Sequence, residues 1–81
     1  MEHFECIKEN PKGEEVALLK VACNPIFSGL AITAECGQTK MSQICPQTSP
    51  HEVVFHIDHV GSWTISGEYC GETHTTTVSI S

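Results

Sequence analysis

Apolar residues in this chain recur at every second position, and clusters of turn residues interrupt the alternation at short intervals. That period belongs to a strand with one buried face. In 17–23, Ala17, Leu19, Val21 and Cys23 share a side. In 30–36, Leu30, Ile32, Ala34 and Cys36 lie on one side, with Ala31, Thr33 and Glu35 opposite. In 51–60 the inward set is Val53, Phe55, Ile57 and His59; in 63–69 it is Trp63, Ile65, Gly67 and Tyr69, with Thr64 and Ser66 turned away. A first strand is expected over 2–9, ended by Asn10-Pro11-Lys12-Gly13, and a last one over 75–81, where Val78 and Ile80 point inward. Segment 37–50 reads as polar and turn-like, with one short edge strand near 41–44. A helical period never persists beyond two turns, and Thr75-Thr76-Thr77-Val78 is β-branched throughout. About seven short strands at this spacing predict an all-β, two-sheet antiparallel sandwich or a small barrel.

Eighty-one residues make one domain, 1–81. A chain of this length buries only about 60–65% of its unfolded surface, so covalent staples are the usual supplement to its core. Five cysteines fit that remedy and point to an oxidising, extracellular setting. Because five is odd, one cysteine stays free, pairs between molecules, or has its partner elsewhere. Met1 is followed at once by Glu2, His3 and Glu5 without an apolar leader, and no run approaches the ~20 apolar residues of a membrane span. The expectation is an excised piece of a larger secreted or membrane-anchored protein, itself not membrane-inserted. Asn10 and Asn24 each precede proline, so neither is a glycosylation acceptor.

Ten acids against four lysines, with no arginine, leave a net charge of −6. Phosphate backbones need basic side chains, and an anionic membrane surface repels such a chain. A protein partner, homophilic or heterophilic, is the remaining ordinary choice, with no nucleic acid and no cofactor.

Ala17-Leu18-Leu19-Lys20-Val21-Ala22-Cys23 looks like the second strand of an immunoglobulin domain, ending in the first bridge cysteine. Residues 55–63 look like the approach to the sixth strand, an apolar alternation with a glycine and then an aromatic corner, and 76–80 is similar to the closing strand. Over nearly its whole length the chain resembles the immunoglobulin superfamily, and the resemblance implies an immunoglobulin-like β-sandwich braced by disulfides. Two departures stand out. Leu30 or Ile32 replaces the core tryptophan of the third strand, and the Asp-x-Gly-x-Tyr-x-Cys signature is broken. In one register Gly67-Glu68-Tyr69-Cys70 is that signature with a residue missing. In the other, favoured because it leaves more chain for the last hairpin, Gly61-Ser62-Trp63-Thr64-Ile65 fills it. Trp63 is then the corner aromatic and main core anchor, and Ile65 takes the cysteine's place.

In either register Cys23 and Cys70 fall at one pole, so a Cys23–Cys70 bridge between the sheets is expected, worth ~3–4 kcal/mol by loop closure. A local Cys36–Cys45 bridge is the second expectation, with Cys6 as the odd one. Zinc is the sharpest rival, since Cys36, Cys45, His51, His56 and His59 are ligand types. However, no CxxC pair occurs, and His56 and His59 diverge on a strand. Catalysis by a cysteine nucleophile lacks any activated elbow, calcium lacks a motif around Glu52 and Asp58, and no glycine-rich phosphate loop occurs. No catalytic or metal residue is therefore assigned.

The outward positions Ala31, Thr33, Glu35, Thr64, Ser66, Thr75 and Thr77 read either as a solvated sheet face or as a sheet-to-sheet contact, the usual docking mode of immunoglobulin-like domains. Pro25-Ile26-Phe27 reads either as a plug for the core end, the favoured sense, or as an exposed contact tip. The expected function is protein–protein recognition at a cell or particle surface, by adhesion or receptor–ligand binding, as in degenerate immunoglobulin-like ectodomains of invertebrate self-recognition receptors. Alternatives are a secreted viral immune-modulatory factor and a disulfide-rich protease inhibitor presenting residues 38–47.

Overall fold

The computed structural model describes residues 3–81, which form seven strands and one 3-10 turn. The strands are β1 (Phe4–Glu9), β2 (Ala17–Cys23), β3 (Ala31–Cys36), β4 (Thr39–Ile44), β5 (Glu52–Ile57), β6 (Gly61–Tyr69) and β7 (Glu72–Ile80). Every pairing is antiparallel. One sheet has the order β1-β2-β5 and the other β4-β3-β6-β7, so the chain is an all-β two-sheet sandwich. The 3-10 turn, Pro25–Phe27, crosses between them and is started by the Asn24 side chain, which accepts from the Ile26 N–H at 3.0 Å.

Alternation produces these strands because each sheet has one wet face. Ala17, Leu19 and Val21 of β2 meet Val53, Phe55 and Ile57 of β5, and β3 and β6 add Ile32, Ala34, Trp63 and Ile65. Of the two candidates for the tryptophan's place, Ile32 enters the core, whereas Leu30 lies just before β3 and is 36% exposed.

Three differences from the expected strand boundaries bear on the site. β4 is longer than 41–44, and it consumes most of the 38–47 segment considered as an inhibitory loop. β7 begins at Glu72 because Cys70 and Gly71, both at positive φ, make a tight hairpin directly after Tyr69. β5 stops at Ile57, so His59 is not a strand residue and turns the corner into β6. There its carbonyl accepts from the Trp63 indole N–H at 3.1 Å.

Phe27 is fully buried and plugs the end of the core, stacked on Phe4 at 5.0 Å. Its ring lies over Gly67, where a Cβ would stand 2.9 Å from Phe27 Cε1 and 3.1 Å from Ile32 Cδ1. Glycine is needed here for close approach, and Gly67→Ala is expected to cost about 1–3 kcal/mol by overpacking. Urea denaturation checks this; a stability within experimental error of the parent would show that the ring has room to move.

Candidate functional site

Pairing register places the sequence-predicted partner face on the outside of the four-stranded sheet. Thr33 of β3 is opposite Ser66 of β6, which is opposite Thr75 of β7. Glu35 is opposite Thr64, which is opposite Thr77. All six residues thus form two cross-strand rows, and Ala31 lies on the same side, opposite Ile44 of β4. β4 adds Ser42, whose hydroxyl hydrogen-bonds that of Thr33 at 3.1 Å, and Lys40, opposite Glu35. Short Thr and Ser side chains make this face low and even.

Charge is unevenly distributed around the sandwich. On the strands of this face the outward charges are Glu35, Glu68 and Lys40; two acids less one base leave −1, against −6 for the whole chain. The three-stranded sheet carries Glu5, Glu9 and Glu52 outward with Lys20, and Lys20 lies 3.6 Å from Glu9.

The cysteines do not make the expected bridges, and no disulfide is formed among the described residues. Cys36–Cys45 is excluded by the hairpin register. Cys36 is opposite Thr39, whereas Cys45 follows Ile44, which is opposite Ala31. At ~3.3 Å per residue the two lie roughly 20 Å apart, far beyond the ~7 Å that a disulfide spans. Cys23 and Cys70 are likewise not joined. Cys70 sits exposed on the β6–β7 turn, next to Tyr69, and its thiol holds the Tyr69 phenol above its usual range. Cys23 is buried, and its thiol hydrogen-bonds the Val21 carbonyl at 3.9 Å. Burial first, and then the neighbouring Cys45 and Cys6 thiols, push Cys23 up to about 12. Cys6 is half-buried against the core, and Cys36 packs over Gly61, where a Cβ would come within 3.0 Å of its sulfur.

No three His, Cys, Asp or Glu side chains among the described residues are grouped to hold a metal ion. His56 is near Glu15 at 3.6 Å, and His59 bonds Asp58 at 2.7 Å. A recess of about 240 Å³ lies between β1 and β7, lined by His3, Phe4, Thr75 and Thr76. That is below the usual ~300–1,000 Å³ of small-molecule sites. The Thr/Ser face therefore remains as the candidate site.

Parity along single strands identified the six face residues. It did not identify Cys45 as the neighbour of Cys23, because their approach depends on how the β4–β5 connection crosses the sandwich. Comparison with known proteins finds no family model, no curated protein and no solved structure that matches the chain.

Proposed function

We propose that the chain is an extracellular protein-recognition domain of immunoglobulin-like type that docks through the outer face of its four-stranded sheet. The observation that carries the reading is the pair of cross-strand rows, Thr33–Ser66–Thr75 and Glu35–Thr64–Thr77, on a face with almost no net charge. A second copy is the partner that this face fits. Two molecules of charge −6 repel least where each presents its least charged side. Small side chains also lose little rotamer entropy on contact. The reading assigns the domain no reaction and no cofactor.

The immunoglobulin-like part draws support from the corner before β6. In that family an aromatic residue two positions before the second bridge cysteine hydrogen-bonds backbone a few residues upstream. Trp63 stands two positions before Ile65 and donates to the carbonyl of His59. The fourth strand lies beside β3, as an added strand does in variable-type domains, and not beside β5 as in constant-type ones.

Thr77→Glu is the cleanest test. Thr77 is on the edge strand opposite Thr64, whereas a glutamate at 64 would face Glu35 directly and lose a few tenths of a kcal/mol to like-charge repulsion. The expected result is a melt within about 0.5 kcal/mol of the parent together with at least a tenfold loss of self-association. Sedimentation equilibrium and aggregation of domain-coated beads measure that association. Glu5→Lys, on the other sheet, should leave it intact. Beads of the parent domain that fail to cluster, or clustering that Thr77→Glu leaves unchanged, would remove this face from the reading.

A further inference from the structure

Two core cysteines from different sheets meet at a single carbonyl. Cys23 ends β2 in the three-stranded sheet, and Cys45 directly follows β4 in the four-stranded one. Both are buried in the hydrophobic core. The backbone N–H of Cys23 donates to the His51 carbonyl at 3.0 Å, and the Cys45 thiol lies 3.9 Å from the same oxygen. After burial, the nearby Cys45 thiol is the group that does most to raise the Cys23 thiol's pKa. We propose that Cys23 and Cys45 form a disulfide in the oxidised domain, which pins the two sheets together through the core.

Neighbouring cysteines fit less well. Cys6 is opposite Val21, two positions away from the Cys23 pairing with Phe4. That diagonal offset holds the Cα atoms about 8 Å apart or more, outside disulfide range. Cys36 and Cys70 lie at the β3–β4 and β6–β7 turns.

Glutathione disulfide supplies the oxidising equivalents. One cysteine thiolate attacks it, forming a mixed disulfide and releasing one glutathione. The second cysteine, as thiolate, attacks the protein sulfur, closes the S–S bond and releases the other glutathione. The two cysteine protons end on the two glutathione thiols, which also carry the two electrons. With Cys23 pushed up to about 12 by burial, its thiolate is scarce in the closed core at neutral pH, so the exchange belongs to folding and not to the folded domain.

The test refolds the chain from denaturant in mixed reduced and oxidised glutathione, blocks the remaining thiols and digests without reductant. Cleavage after both lysine and glutamate places the five cysteines in separate peptides, 6–8, 21–35, 36–40, 41–52 and 69–72. The expected product is 21–35 joined to 41–52, two hydrogens lighter than the sum of the free peptides. Peptide 21–35 joined to 6–8 or to 69–72, or both 21–35 and 41–52 recovered alkylated, would overturn the assignment. Reduction should lower the melting temperature by roughly 15–25 °C, as expected for a loop of this length in a small domain. Cys70→Ser should keep that shift and Cys45→Ser should lose it. The reverse pattern would also sink the proposal, and the peptide map of the parent chain decides the matter even if a variant fails to fold.

Discussion

Replacing Trp63 with alanine is expected to lower the unfolding free energy by about 3–5 kcal/mol. Trp63 is the largest fully buried side chain and lies between the sheets at the start of β6. Truncation removes its contacts with the core and leaves the His59 carbonyl without its indole donor. A domain of this length has roughly 4–12 kcal/mol in total, so the variant should be near the edge of folding at ambient temperature. Trp63→Phe separates the two contributions, since it keeps an aromatic ring in the core but forfeits the hydrogen bond. About 1–3 kcal/mol is expected for it. Far-UV circular dichroism during guanidinium denaturation is the measurement, because Trp63 is the only tryptophan and its fluorescence disappears with it. An unchanged midpoint in Trp63→Ala would mean that the sheet has been read inside out.

The parity that makes Trp63 inward and Thr64 outward was legible in the sequence because burial acts on alternate residues of a strand. Where a strand buries nothing, the signal fades. β4 has no buried residue, and its extent could not be read from residues 37–50. The start of β7 was missed for another reason. Its hairpin bends at Cys70-Gly71, where a cysteine at φ 52° takes the place usually held by asparagine or aspartate. Conversely, the β5 alternation ran on to His59 in the sequence, but the corner before Gly61 ends the strand at Ile57. Pairings across the sandwich were the least legible. Nothing in the spacing of Cys23, Cys36, Cys45 and Cys70 encodes which loops cross, and the register alone separates Cys36 from Cys45. The outward Thr/Ser rows were more legible, since each row needs only the parity of three strands and their order in the sheet.

Phe27→Ala is expected to cost about 3–5 kcal/mol, comparable to the loss of Trp63, although Phe27 lies on a three-residue 3-10 turn and not on a strand. The ring closes one pole of the sandwich. It stacks on Phe4 and meets the rings of His3, His74 and Tyr69 edge-on at 5.9, 5.9 and 6.5 Å, so strands β1, β6 and β7 all lean on it. Truncation leaves a cavity between the sheets, and the substitution at Gly67 tests whether the ring itself occupies that space. In the parent, a methyl at 67 collides with Phe27; in Phe27→Ala the same methyl enters the space the ring has left. Ile32 Cδ1, at 3.1 Å, still limits the relief. The double variant Phe27→Ala/Gly67→Ala should therefore be more stable than the two single losses predict, with a coupling of about 1–3 kcal/mol. Denaturant midpoints of the four proteins give this number directly. Strict additivity would show that Gly67 is glycine for some reason other than the ring above it.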